Sequence, residues 1–146
     1  MGIKTYRPVT AGLRHRTGNT FEELTDDRPH KPLMKSLSKS GGRDSRGRLS
    51  IRNRGGGHKR LYRIIDFKRD KIDIPGIVET VEYDPNRSAF ISLVRYRDGE
   101  RRYILSPLNL KTGQQIVSSS TQVDILPGNA MPLDSSPSVR SSTTSK

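Results

Sequence analysis

Apolar residues are distributed so unevenly along this chain that only one part of it can fold around a core. Ala, Val, Ile, Leu, Met, Phe and Tyr occupy 13 of the first 60 positions, 27 of the 66 positions from 61 to 126, and four of the last 20. Burial of apolar surface is the main favourable term in folding. The packed domain is therefore expected at residues 61–127, preceded by a largely irregular extension (1–60) and followed by a linker and Ser-rich tail (128–146). Charge runs the other way. Residues 1–71 carry 19 Lys and Arg against seven acids, and residues 72–146 carry eight of each, so the entire net charge of +12 lies in the N-terminal half. Such a balance favours partners that carry phosphate.

Within the apolar region, short runs with strand composition alternate with turn chemistry, the pattern of a small all-β barrel or sandwich. The runs are "LYRIIDF" (61–67), "PGIVETVEYD" (75–84), "SAFISLVRY" (88–96) and "RRYILS" (101–106), with a weaker fifth region in "QQIVSSS" and "QVDIL". Asp84-Pro85-Asn86 marks one turn, and Asp98-Gly99 reads as a two-residue hairpin. The expected fold is an antiparallel meander of five strands, of the size of an OB barrel; an SH3-like barrel has a similar strand complement. "FEELTDD" (21–27) has room for one helical turn before Pro29 and Pro32 close it off. The final "SSPSVRSSTTSK" (135–146) has the composition of a disordered tail. Tyr62, Phe67, Tyr83, Phe90, Tyr96 and Tyr103 lie on the strands, and a chain with few large residues needs them inside. Tyr62, next to the basic region, is the one kept as a base-stacking candidate.

The absence of cysteine excludes disulfides, thiolate catalysis and Cys-ligated zinc. No apolar run approaches the roughly 18 residues of a membrane span, and the opening "MGIKTYRPVT" lacks the apolar stretch of a secretory signal. A soluble chain is expected. Glu79, Glu82, Asp84, Asp66, Asp70 and Asp73 form neither an acid–base pair nor a ligand spacing, and read as surface carboxylates. His58 lacks a completing acid or Cys, and His15 and His30 lie in the polar N-terminal region. Neither a catalytic residue nor a metal site is expected, and the chain is not read as an enzyme.

The segment from 35 to 60 holds nine basic residues and a single acid, Asp44. Most of the cations are Arg, whose planar guanidinium binds phosphate oxygens in bidentate fashion and stacks on bases. They alternate with Gly41, Gly42, Gly47, Gly55, Gly56 and Gly57, which allow positive φ and close approach of the backbone to a phosphate. "RNRGGGHKR" is not a nucleotide-binding phosphate loop, because the spacing GxxxxGK[ST] is missing and the glycines precede a strand. An Arg/Gly strand threaded into RNA accounts for both residue types, and His58 then stacks on a base or donates to a phosphate. Residues 38–59 are expected to be irregular and protease-sensitive without RNA.

"GRDSRGRLSIRNRGGGHKRLYRIIDFKR", "VETVEYDPNRSAFISLVRYRDGERRYIL" and "PGNAMPL" together closely resemble the N-terminal half of bacterial and organellar ribosomal protein L2, over residues 4–133. The resemblance implies an OB-fold domain bound to 23S-type large-subunit rRNA, stabilising it and supporting subunit assembly. The implied RNA contacts are Lys39, Arg43, Arg46, Arg48, Arg52, Arg54, Gly55, Gly56, Gly57, His58, Lys59, Arg60, Tyr62 and Arg63. Asn86, Arg87 and Ser88, with Arg101 and Arg102, are weaker members of the set. No cofactor is implied beyond Mg2+ held by the rRNA itself, and the partners are large-subunit rRNA and neighbouring ribosomal proteins, without membrane or small-molecule substrate. The family continues beyond the "PGNAMPL" stretch into an SH3-like domain that this chain lacks. The expectation is that a separate polypeptide carries that half, an arrangement more natural to a mitochondrion than to a plastid or a bacterial cytoplasm. The alternative function is a free-standing OB module that binds single-stranded nucleic acid.

Overall fold

The computed structural model describes residues 2–26 and 28–136; residues 137–146 of the Ser-rich tail lie outside the described residues. Eight strands form within them: β1 (Ile3–Thr5), β2 (Thr17–Asn19), β3 (Met34–Ser36), β4 (Leu61–Arg63), β5 (Gly76–Glu82), β6 (Ile91–Tyr96), β7 (Arg101–Leu105) and β8 (Gln115–Ile116). The last four make one antiparallel sheet in the order β7-β6-β5-β8, while β1 pairs with β2 and β3 with β4. The fold is all-β and of OB type, a curled four-stranded sheet extended by short ladders and bridges.

The curl has local causes. A register shift between Val78 and Thr80 leaves Glu79 as a bulge in β5, and a bulge bends its strand and raises the twist. Gly76 allows β5 to close tightly on β6, since a Cβ there would lie 2.6 Å from Val94 Cγ1. One face of the sheet packs Val78, Val94, Tyr96, Ile104, Leu110 and Ile116 into the barrel interior. The other packs Ile91, Leu93 and Tyr103 with Ile65 and Leu33. β6 is thus covered on both faces, which is why "ISLVRY" reads as a nearly continuous apolar run.

The cover on the second face comes from an N-terminal strap. Thr25 pairs with the β5 edge, its N–H donating to Val81 O (3.0 Å) and its Oγ1 accepting from Val81 N (2.8 Å). Further on, the His30 N–H donates to Tyr103 Oη (2.7 Å), and Leu33 O accepts from Ile64 N (2.9 Å). Residues 1–60, expected to be largely irregular, therefore contain three short strands and a docked strap. The strap was hidden in the sequence because backbone groups and a single Leu, not an apolar stripe, hold it down.

Three strand expectations need correcting. "LYRIIDF" does not form a hairpin with the next strand: β4 pairs with β3, and Ile65 bridges in parallel to Tyr103 of β7. The connection carries it across the barrel, with Arg69 at φ +52, its N–H on Asp66 Oδ1 (2.9 Å) and its guanidinium on Gly128 O (2.7 Å). Asp98-Gly99 turns the chain in a three-residue loop, not a two-residue one. Gly99 N donates to Tyr96 O (2.9 Å), Tyr96 N donates to Glu100 O (2.9 Å), and Gly99 takes φ +88, the geometry of a type I turn with a glycine bulge. "QVDIL" forms no strand, and its Ile125 and Leu126 are exposed.

Burial corrects the residue readings as well. Phe67 is 64% exposed and Tyr83 48%, so neither belongs to the core. Glu82 and Asp84, read as surface carboxylates, are 3% and 0% exposed. Glu82 lies under the strap, accepting from Tyr103 Oη (2.7 Å) and Thr80 Oγ1 (3.0 Å). Its burial there raises its pKa above the usual carboxylate value.

Candidate nucleic-acid interface

Between β3 and β4 the backbone makes a closed loop without a strand. Gly42 O accepts from Ser50 N (2.9 Å), Ile51 N (3.1 Å) and Ser50 Oγ (3.0 Å), and Arg43 bridges to Leu49. Asp44, the only acid in the segment, is used locally: its Oδ1 accepts from Arg46 N (2.9 Å) and Arg48 N (2.8 Å). The acid therefore shapes the turn and leaves the neighbouring guanidinium groups uncompensated. Arg43 Nη1 reaches back to Gly47 O (2.9 Å). Arg46, Arg48, Arg52 and Arg54 project from exposed backbone and make no side-chain hydrogen bond or ion pair among the described residues.

The glycines do what positive φ requires. All six lie in the left-handed region, and two are also places of close approach: a Cβ at Gly42 would sit 2.5 Å from Ile51 O, and one at Gly55 would sit 3.1 Å from Gly41 Cα. Gly55, Gly56 and Gly57 follow one another at φ +114, +75 and +77, and Lys39 Nζ holds this run through Gly56 O (3.2 Å) and His58 O (3.0 Å). His58 and Lys59 are exposed beside it.

Where the segment enters the barrel it is clamped to the Asp84-Pro85-Asn86-Arg87 turn. Arg60 Nη1 donates to Pro85 O (2.8 Å) and Asn86 Nδ2 to Leu61 O (2.7 Å). Asp84 organises the turn from below, accepting from Arg87 Nε (2.6 Å), Asn86 N (2.9 Å) and Asn86 Nδ2 (3.0 Å). Arg63, whose side chain is 11% exposed, stands 4.0 Å from Asp84, and its Nε is buried without a hydrogen-bond partner. The Arg87 guanidinium lies between two aromatic rings, 5.9 Å from the Tyr62 centroid and 6.0 Å from that of Phe67. The structure thus gathers Arg60, Tyr62, Arg63, Asn86 and Arg87 at one edge, with exposed Ser88 beside them. It adds Phe67, which the sequence assigned to the core. An exposed Phe in "DFKR", flanked by basic residues, is the signal that could have marked it.

Arg101 and Arg102 lie elsewhere and are occupied. Arg101 Nε donates to Glu79 Oε2 (2.8 Å), and Arg95 holds the other oxygen of that carboxylate (3.0 Å). Arg102 meets Glu100 (2.7 Å), Asp66 (3.0 Å) and Asp70, while Lys71 pairs with Asp98 and Glu100. The arginine contacts hold Glu79 and Asp70 below their ordinary carboxylate values, and Lys71 does the same to Asp98. This side of the barrel neutralises its own cations. The loop side does not.

A β-barrel that leaves a run of arginines uncompensated on exposed, glycine-turned backbone, with aromatic rings at its edge, defines the class of an RNA-binding barrel protein. Comparison with protein families gives the particular one. The family model for ribosomal proteins L2, RNA-binding N-terminal domain, matches residues 30–118, and the chain belongs to this family. The match starts inside the strap at His30, spans the basic loop and ends at Ser118 beside β8. The chain therefore has a ribosomal, RNA-binding role in the large subunit, in a family of structural RNA-binding proteins and not of enzymes. Among the described residues no helix is long and apolar enough to cross a membrane.

Proposed function

We propose that the chain binds 23S-type rRNA, stabilises its folded form and supports assembly of the large subunit. The observation that carries this reading is the asymmetry of compensation: cations are paired on the Arg101–Arg102 side and unpaired from Arg46 to Arg54. Lys39, Arg43 and Asp44 hold the loop in shape, and Arg46, Arg48, Arg52, Arg54, His58 and Lys59 meet phosphates and bases. Arg60, Arg63, Asn86 and Arg87 grip the backbone at the barrel edge, and Tyr62 and Phe67 offer ring faces to unstacked bases. Arg101 and Arg102 contribute less, because their guanidinium groups would first have to leave carboxylates.

Affinity for protein-free large-subunit rRNA, measured across salt concentrations, tests the assignment. Each lost phosphate contact lowers the slope of log K against log salt by about 0.7 to 0.9. Replacing Arg46, Arg48, Arg52 and Arg54 with Ala is expected to lower it by about 3, and replacing Arg101 and Arg102 by less than 1. Equal losses from the two sets would overturn the assignment. Mass spectrometry of the same large subunits asks whether the family's second domain arrives on a separate polypeptide.

A further inference from the structure

We propose that residues 2–19 form a second RNA grip, a basic hairpin that binds phosphates on a stretch of rRNA distinct from the one held by residues 39–63; the proposal rests on the rRNA-binding reading above. This hairpin lies wholly outside the part of the chain that the family model matches.

Its charge is one-sided. Lys4, Arg7, Arg14 and Arg16, with His15, occur before the first acid of the chain, Glu22. All five sit on exposed residues, and none forms an ion pair among the described residues. Their arrangement is built, since β1 and β2 pair through Ile3 with Asn19, Lys4 with Gly18 and Thr5 with Thr17. At the far end a 3-10 turn, Ala11–Leu13, is closed by Leu13 N on Thr10 O (3.0 Å) and Arg16 N on Leu13 O (3.3 Å). Arg14, His15 and Arg16 follow it directly. Tyr6 crosses the hairpin over Gly18, where a Cβ would stand 2.9 Å from the phenolic oxygen. Its ring takes the Arg16 guanidinium at 4.8 Å and Lys4 Nζ at 5.5 Å.

The hairpin is positioned but not packed. Phe21, at φ +59, fixes its base against the barrel with its ring 5.6 Å from Tyr83 and 6.3 Å from Phe90. No hydrogen bond or ion pair among the described residues joins 2–19 to the barrel. Ile3 and Val9 remain 73% and 72% exposed. An isolated two-stranded hairpin is marginal in water, so this one needs a surface to lie on. An anionic surface fits its charge. Three arginines and a cation-bearing tyrosine suit a phosphate backbone with accessible bases better than an acidic protein face, for which compact Lys charges serve equally well.

The test uses the full chain in which Arg7, Arg14 and Arg16 are replaced by Ala, with rRNA affinity read across salt and hydroxyl-radical footprinting of protein-free large-subunit rRNA. The expected result is a salt slope lower by about 2 to 3 and loss of one protected patch of RNA, with the patch that depends on Arg46 to Arg54 unchanged. A companion variant with Lys at the same three positions keeps the charge and is expected to keep the slope. An unchanged slope and footprint in the Ala variant would overturn the proposal, as would a lost contact to an acidic neighbouring protein in assembled subunits with the RNA footprint intact. Failure of the unaltered chain to bind rRNA would instead overturn the reading on which the proposal rests.

Discussion

Asp84 and Glu82 lie two positions apart, both buried, yet the barrel treats them differently. Asp84 accepts from a guanidinium, a backbone N–H and an amide, a set suited to a charged carboxylate. Glu82 accepts two hydroxyl groups beneath the strap, and desolvation there raises its pKa. In the folded state Glu82 thus keeps its proton to higher pH than it does unfolded. Its contribution to stability is fully present below the unfolded value of about 4.5, and is lost as pH rises through the higher folded value. Glu82→Gln, which keeps the shape without the charge, is expected to flatten the fall in stability above pH 4.5 and to leave the protein at least as stable at pH 7. Urea melts at a series of pH values measure this, and an unchanged pH profile would show that Glu82 is not the titrating group. The sequence marked Asp84 as a turn residue, because Asp-Pro-Asn has local chemistry. It could not mark the burial of either acid, because their covering and pairing groups come from residues 25–30, 63, 87 and 103.

At the scale of elements, what was legible depended on whether the cause was local. The strands β5, β6 and β7 and the turn at Asp98-Gly99 followed from alternation and turn chemistry. The pairing of β4 did not, since an apolar run says that a strand is buried but not which edge it joins. The basic loop shows both sides. Its glycines were readable as positive-φ positions, but the hydrogen-bonded closure on Gly42 O was not, because it joins residues eight or nine apart through backbone alone. That closure makes Gly42 the most sensitive position of the loop. An L residue there takes a left-handed conformation, at a cost of about 1 to 2 kcal/mol, and sets its Cβ against a backbone carbonyl. Gly42→Ala is expected to leave the thermal melt of the barrel unchanged and to weaken rRNA binding about tenfold, since about 1.4 kcal/mol is tenfold in affinity. A lower melting temperature would place the loop in the core structure, contrary to its exposure.

Over the whole molecule, the two properties that divided the sequence, apolar content and charge, divide the structure less simply. Residues 61–126 do hold most of the core, but the strap at residues 25–36 completes it from the other side of the basic loop. Leu33 packs on the second cluster, His30 caps Tyr103, and β3 pairs with β4 over three residues. The basic loop is thus an excursion between two parts of one folded unit, not a tail attached to a finished barrel. Residues 43–61 are all exposed and few of their backbone groups are hydrogen-bonded, so an arginine-specific protease is expected to cut there first in the free protein. The two fragments should then stay together in native gel filtration and separate only in denaturant, because the strap's bonds to Val81, Tyr103 and Ile64 survive the cut. With rRNA bound, the same sites should be protected. Separation of the fragments under native conditions would mean that the strap does not hold the barrel face, and that the fold resides in residues 61–126 alone.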